Sequence, residues 1–367
     1  MAPRVGLLFG GRSSEHGISC LSAASVLTVI DRTKYDVVAI GISREGRWVI
    51  AKDDPGHYAL ANGDLPSVDG AGTEVVLAGD PTRDNLLISE PGQIPHALGN
   101  LDVLFPLLHG PYGEDGTIQG LCELAGIAYV GSGVLASAAA MYKPVMKALF
   151  AQAGLINTPH LVVTDAQWRK DPAKITERVK AELGFPVFVK PARGGSSNGI
   201  GRADSASTLV QAITEAQIHD PQVIIEKAVI GREIECGVLG VLGGGAETTL
   251  PAEIRVVGDH DFYDFQAKYL DESTVLDVPA DLPADIRAEI QRQSLLAFEV
   301  LGCEGLARVD FFLDSENQII INEINTMPGF TPTSMYPRMW AASGIDYSAL
   351  VDRLIQLALH RRRSVLR

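Results

Sequence analysis

The sequence predicts an α/β protein of two or three domains. Three observations carry this. The first 130 residues run strand, loop, helix in repeated order; the middle third keeps alternating; and the last third is rich in strands before a closing helix. At 367 residues the chain is long for a single core. An apolar content of 46% with 21% charged residues is ordinary for a globular protein.

Val5 to Phe9 reads as a strand, and Gly10 and Gly11 turn the chain. Ser19 to Ile30 carries apolar residues at helical spacing, and Val37 to Ile42 is a second strand. Residues 46 to 99, rich in Gly, Asp and Pro, read as a variable excursion with short strands. Asp102 to Leu107 is a further strand, followed by the loop "LHGPYGEDG" and a helix from Thr117 to Ala125. This rhythm implies a parallel sheet covered by helices, with ligands gathering at the carboxyl ends of its strands.

Residues 132 to 155 read as helices, followed by a strand near Leu161 and a charged helix near 171 to 183. Pro186 to Lys190 is a strand, Ser205 to Ile218 a helix, and "VIIEKAV" a strand. From about Ile230 the strands Ile234 to Val241 and Thr249 to Val256 precede a long helix, 283 to 301. "GLARVDFFLD" and "QIIINEINTMPG" form two paired strands, and a helix closes the chain. The basic end "HRRRSVLR" suits a helix C-terminus.

A net charge of −14 argues against nonspecific nucleic-acid binding but leaves room for a small anionic substrate. Four scattered cysteines, Cys20, Cys122, Cys236 and Cys303, fit neither a disulfide framework nor a zinc knuckle and suit a reducing cytosol. The apolar start is too short for a signal peptide, and no run approaches the roughly 18 residues of a membrane span. A cytoplasmic location without membrane partners is the expectation.

Chemistry is first suggested by "FPVFVKPARGGSSNGIG". Gly194 and Gly199 have P-loop separation, yet Ile200 stands where the lysine belongs. A phosphate reading needs another geometry: Lys190 projecting from a strand beside a flap of Gly194, Gly195, Ser196, Ser197, Asn198 and Gly199. A plain glycine-rich turn is the alternative. Lys143, following an Ala-rich helix, supplies a second point charge.

Near the C-terminus, Arg308 and Asp310 share a strand face, as do Glu323 and Asn325. Pairing the strands brings three oxygen ligands together beside one arginine, a set that suits hard Mg²⁺. The alternative is an Arg–Asp salt bridge. The metal reading is favoured because burying two carboxylates in apolar strands without cations is costly. "IIEKAVIGREIE" offers backbone groups and Glu226 to a purine edge, and Glu233 to a ribose, though acidic strand ends are commonly just solvated. The loop "FGGRSSEHGIS" opens a helix; Glu15 reads equally as a cap or as an ammonium ligand. His109 either touches substrate or orders its turn.

Eight blocks in order resemble one family: "GGRSSEHGIS", "PLLHGPYGEDGTIQG", "GSGVLASAAAMYK", "FVKPARGGSSNGI", "EKAVIGREIE", "FYDFQAKYL", "GLARVDFFLD" and "NEINTMPGFTPTSM". The chain resembles the D-alanine–D-alanine ligases of the ATP-grasp superfamily over nearly its whole length. The resemblance implies an ATP-grasp fold. An N-terminal domain (1–131) precedes a central domain with the Gly/Ser lid (132–229) and a C-terminal domain carrying the metal site and a 258–273 lid loop (230–367).

The resemblance also implies the reaction: two D-alanines joined at the expense of ATP through an acyl phosphate, for peptidoglycan precursors. Lys143 and Lys190 then contact the nucleotide phosphates, and Ser197 and Lys268 belong to the same nucleotide site. Glu226, Lys227 and Val229 hold adenine, and Glu233 holds ribose. Asp310, Glu323 and Asn325 bind two Mg²⁺ or Mn²⁺. Arg308 and the N–H of Gly329 receive the developing oxyanion. Glu15 anchors the first D-alanine near His109, and Ser334 and Met335 meet the second. Glu15, Ser196 and Tyr269 form a hydrogen-bonded trio tying the lids to the amino-terminal domain, and Tyr269 favours D-alanine over D-lactate as acceptor. A homodimer is implied. Gly17, Cys20, Tyr142 and Asn198 depart from the usual pattern. A different ATP-grasp carboxylate–amine ligase, or a nucleotide-binding module without turnover, are the rival readings.

Overall fold

The computed structural model describes residues 2–60, 64–90, 92–195, 198–256 and 274–361. They form three sheets. In the first, Arg4–Gly10 lies centrally, parallel to Asp36–Ile42 on one side and to Val103–Pro106 on the other, with Ala128–Tyr129 parallel beyond. The expected parallel sheet is therefore present, but it is half of a larger mixed one. The 46–99 excursion adds Trp48–Ile50, Glu74–Leu77, Leu86–Ser89 and His96–Gly99 as antiparallel strands beyond Asp36–Ile42.

The central strand is apolar on both faces because both are covered. Leu7 and Phe9 face Cys20, Ala23, Val26 and Leu27 of helix His16–Val29, and Leu350 and Leu354 of helix Tyr347–His360 join the same core. Leu8 faces the other way, toward Ile40, Leu104, Ile118 and Cys122. Helix His16–Val29 is pinned to the strand ends by Ser19, whose Oγ accepts from Gly10 N–H (2.8 Å) and donates to Leu107 O (2.6 Å).

The second sheet is antiparallel, in the order Gly201–Ala203, Val187–Pro191, Gln222–Lys227, His160–Thr164. Val187, Val189, Val223 and Ile225 pack on Ile175, Val179, Leu209 and Ile213 of helices Pro172–Glu182 and Ala206–His219. The two-residue period then sends Phe188, Lys190 and Glu226 to the opposite face.

The third sheet is also antiparallel: Thr274–Asp277, Ala252–Val256, Arg232–Gly240, Leu306–Leu313 and Ile319–Asn325, with Ala246–Thr248 beside Arg232–Gly240. One face (Ile234, Cys236, Val309, Phe311, Ile321) packs on helix Ala284–Val300 and on Ala139, Met146 and Phe150 of helices Val134–Met141 and Lys143–Gln152. The register between the last two strands shifts at Asp310/Phe311: Asp310 pairs with Glu323, but Phe311 pairs with Ile321. One extra residue, Asn322, sits in that step. The shift reverses the parity of the strand. Ile319 and Ile321 point into the core before it, and Glu323 and Asn325 leave the core after it, with Ile324 now buried.

Candidate active site

Two clefts meet at the exposed face of the third sheet. The first, about 430 Å³, lies between the second and third sheets and is lined by Lys143, Lys190, Glu226, Lys227, Val229, Glu233, Asp310 and Glu323. The second, about 690 Å³, lies against the first sheet and is lined by Glu15, His109, Glu114, Asn325, Gly329, Ser334 and Met335. Gly195, Glu235, Arg308 and Glu323 line both. The nucleotide candidates and the amino-acid candidates therefore occupy separate spaces that join at an arginine and a carboxylate.

At the junction, Arg308 pairs across the strands with Asn325, and Asp310 with Glu323. Arg308 is half-buried, and its Nε and Nη2 donate to Asp310 Oδ1 and Oδ2, both at 2.7 Å. Glu235 Oε1 is 3.1 Å from the same Nε. Burial opposes the guanidinium charge, but Asp310 and Glu235 outweigh it and hold its pKa well above the ordinary value. The expected arrangement of three oxygen-bearing side chains beside one arginine is present, and so is the Arg–Asp ion pair weighed as its alternative.

The donor set fits a hard divalent cation: two carboxylates and one amide, brought to one face by the register shift. Asn325 now donates from Nδ2 to Asp310 Oδ2 at 3.0 Å; a flip of that amide presents its oxygen instead.

In the first cleft, Glu226 is 2% exposed and held by two lysines: Lys190 Nζ lies 2.6 Å from Oε2 and Lys147 Nζ 2.9 Å from Oε1. Burial disfavours its charge, yet the two lysines prevail and keep it below the usual carboxylate range. The same carboxylate, with Glu323, raises Lys190 against its own burial. Lys143 Nζ donates to Gly194 O at 2.7 Å and lies 3.7 Å from Glu323 Oε2. Both predicted lysines thus stand in one cleft, next to the first glycine of the loop. The N–H of Lys227 already donates to Pro159 O at 3.0 Å. Phe188 and Phe312 add apolar walls.

In the second cleft, Glu15 occupies the N-cap position of helix His16–Val29 but makes no side-chain cap hydrogen bond. Its carboxylate turns inward, 5% exposed, so close to Gly110 that a Cβ there would sit 2.7 Å from Oε2. His109 is buried between elements: Nδ1 meets Met327 O at 3.1 Å and Nε2 meets Ser22 Oγ at 3.1 Å. A carbonyl only accepts, so the Nδ1 proton is assigned and Nε2 accepts from the serine. Burial lowers this imidazole's pKa and keeps it neutral. His109 both orders its turn and lines the cleft. The glycine loop reaches the N-terminal loop directly, with Asn198 Nδ2 donating to Ser14 Oγ at 2.8 Å. Ser196, Ser197, Lys268 and Tyr269 lie outside the described residues, as does the whole 258–273 loop.

Three residues escaped the sequence reading. Lys147 sits one helical turn from Lys143, a spacing that could have marked it. Glu235 is two residues from Glu233 on one strand, so it shares that face. Glu114, in "GEDG", accepts from Gly110 N–H (2.6 Å) and Met327 N–H (3.3 Å). Burial, reinforced by Glu15, pushes its pKa up to about 8.

A family model described as "D-ala D-ala ligase N-terminus" matches residues 4–132, and one described as "D-ala D-ala ligase C-terminus" matches residues 149–356. The chain belongs to the D-Ala-D-Ala ligase family. A D-alanine--D-alanine ligase of Streptomyces griseus is 53% identical over 366 residues, covering 98% of this chain and 93% of the relative. One of Kineococcus radiotolerans is 56% identical over 369 aligned positions, covering 98% and 97%. Among solved structures, the VanG D-Ala:D-Ser ligase of Enterococcus faecalis superposes with a TM-score of 0.84 at 32% identity, covering 98% of this chain and all of the other. The D-alanine-D-alanine ligase of Coxiella burnetii gives 0.81 at 31% identity, covering 98% and 94%. The fold is that of the family, ATP-grasp, as the motif blocks implied.

Proposed function

We propose that this chain joins two molecules of D-alanine, consuming ATP and releasing ADP and phosphate, through a D-alanyl phosphate. The observation that carries this reading is the junction of the two clefts at Arg308 and Glu323. A carboxylate is a poor electrophile and must be activated by phosphoryl transfer before an amine can attack it. Phosphoryl transfer requires placement and charge neutralisation more than covalent help. A cleft for a nucleotide that opens into a cleft for amino acids, with a cation where they meet, meets that requirement.

The proposed residue roles rest on the cleft each described residue lines and, for the others, on the family resemblance. Lys143 and Lys190 face the phosphates as point charges, with Ser197 and Lys268 expected beside them. Glu226 and the backbone at Lys227 and Val229 receive adenine, and Glu233 the ribose. Asp310, Glu323 and Asn325 hold two Mg²⁺ or Mn²⁺, which when bound neutralise phosphate charge. Glu15 binds the ammonium of the first D-alanine beside His109, and Ser334 and Met335 bind the second substrate. Arg308 and Gly329 N–H receive negative charge as the acyl carbon becomes tetrahedral. The lid residues 194–199 and 258–273 exclude water from a hydrolysable intermediate. Tyr269, with Glu15 and Ser196, selects an amine acceptor.

The three-domain division at about residues 131 and 229 is part of this proposal. So is a homodimer, on the family resemblance. A cytoplasmic location is also proposed. Among the described residues no helix is long and apolar enough to cross a membrane, and all four cysteines are free and buried.

ADP release coupled to a dye-linked assay, with D-alanine as the sole amino acid, tests the reading. D-Alanyl-D-alanine in the product is the expected result. Equal rates with L-alanine, or better use of D-serine or D-lactate as acceptor, would overturn the substrate assignment.

A further inference from the structure

Lys147 is the most deeply buried cation near the nucleotide cleft, 1% exposed, yet it does not line the cleft. It approaches from behind, on the helix Lys143–Gln152 that also carries Lys143. Its ammonium makes two contacts, each to a different sheet. One is to Glu226 Oε1 in the second sheet at 2.9 Å. The other is to the main-chain oxygen of Asn322 at 3.3 Å, in the third sheet. Asn322 is the extra residue in the register step between Ile321 and Glu323, and its Oδ1 lies 3.4 Å from Lys190 Nζ.

We infer that Lys147 is the positioning residue of the nucleotide site: it holds the Glu226 carboxylate in place so that Lys190 is free to leave it for phosphate. This rests on the ATP reading of the first cleft. Glu226 is shared between one lysine that lines the cleft and one that is locked away from it. A phosphate bound at Lys190 competes with Glu226 for the ammonium, so the 2.6 Å contact loosens when the nucleotide binds. A carboxylate this buried cannot stay charged alone. Lys147 resolves the conflict, because its contact survives the departure of Lys190. It also fixes which way the carboxylate points. A charged acceptor there accepts from an exocyclic amine and repels a carbonyl oxygen, so the same contact discriminates adenine from guanine. The bond to Asn322 O ties this base-reading group to the strand that carries Glu323, one residue away.

The test compares wild type, K147M, E226Q and the double variant K147M/E226Q as full chains. It measures binding of ATP and GTP by calorimetry, KM for ATP and for D-alanine, and melting temperature. K147M is expected to lose ATP affinity by at least about tenfold, the scale of a charge-assisted hydrogen bond, and to lose preference for ATP over GTP. KM for D-alanine should stay within about twofold, since no contact of Lys147 reaches the second cleft. Once Glu226 is neutral, Lys147 has no carboxylate to hold. K147M/E226Q should therefore bind ATP no worse than E226Q.

The double variant removes both members of the Lys147–Glu226 pair and leaves Lys190 to Glu323 and the Asn322 amide, so it remains informative if K147M alone does not fold. An ATP affinity and ATP/GTP ratio in K147M equal to wild type would overturn the inference. So would a double variant much weaker than E226Q, or equal losses toward ATP and D-alanine. Wild type that bound no ATP at all would instead remove the functional reading on which the inference stands.

Discussion

Arg308 grips both oxygens of Asp310, each at 2.7 Å, while Asn325 donates to one of them at 3.0 Å. A carboxylate held in this way is shared between the guanidinium and any cation it serves. Glu235, 3.1 Å from Arg308 Nε, remains to compensate the arginine when a cation is bound. Removing the charge of either carboxylate donor should therefore disable the site while sparing the fold. D310N and E323Q are each expected to lower turnover by about 100-fold or more, the scale of lost electrostatic stabilisation at a reacting phosphoryl group. Chelation of divalent ions should silence the wild type, and Mg²⁺ or Mn²⁺ should restore it. The check is steady-state ADP release at saturating ATP; near-normal rates in E323Q would refute the metal assignment.

Asn198 links the glycine loop to the N-terminal loop through Ser14 Oγ. Both partners are partly solvated, so the bond contributes little to stability, within about 0.5 kcal/mol. Its consequence should be kinetic. N198A is expected to raise KM for D-alanine by roughly two- to fivefold and to increase phosphate released per dipeptide formed, because a looser lid admits water to the acyl phosphate. Measuring phosphate and dipeptide in parallel decides it. An unchanged ratio would mean that this contact does not help close the site.

Glu114 gives a pH signature. Burial raises its carboxyl to about 8 in the folded chain, with the Glu15 charge adding to the effect, from an ordinary 4.5. The folded protein therefore prefers the neutral acid. Its contribution to stability is complete below about pH 4.5 and is lost as pH rises through about 8. E114Q mimics the neutral form, so its melting temperature should fall less than that of wild type between pH 6 and 9, by roughly 2–4 °C. Parallel curves for the two proteins would show that Glu114 is already ionised near neutrality. D-Alanine should narrow the gap, since an ammonium beside Glu15 and Glu114 favours the charged form.

Much of this site was legible as alternation along strands. The run Val187-Phe188-Val189-Lys190 places the lysine opposite two core valines, and the structure keeps that arrangement. Arg308 with Asp310, and Glu323 with Asn325, share faces for the same reason. Alternation alone could not supply the extra residue at Asn322. Without that register shift, Glu323 and Asn325 would follow Ile319 and Ile321 into the core. Nor could it find Lys147, a helix residue whose partner Glu226 is 79 positions away in the chain, on the second sheet. Its one-turn spacing from Lys143 could mark the lysine but not the distant carboxylate it pairs with. The 46–99 segment was recognisable as short strands, but its antiparallel attachment to a parallel sheet depends on pairings that composition does not encode.

Phe330 connects the core to the second cleft. It is fully buried, with ring centroids 5.8 Å from Phe105 in the first sheet, 6.2 Å from Tyr336 and 5.5 Å from Tyr347. Tyr347 also donates its hydroxyl to Phe330 O at 2.6 Å. The residue before it is Gly329, whose N–H is proposed above to receive the oxyanion. Packing therefore sets the position of that N–H. F330A should destabilise the protein by about 3–5 kcal/mol through a cavity between three rings. F330L, closer in volume, should cost less than about 1.5 kcal/mol. If the ring only fills space, F330L recovers both melting temperature and kcat. If the ring fixes the loop, F330L recovers stability but keeps a reduced kcat with an unchanged KM for ATP. The second outcome is expected, because the flat ring meets its three aromatic neighbours at defined angles that a leucine cannot reproduce.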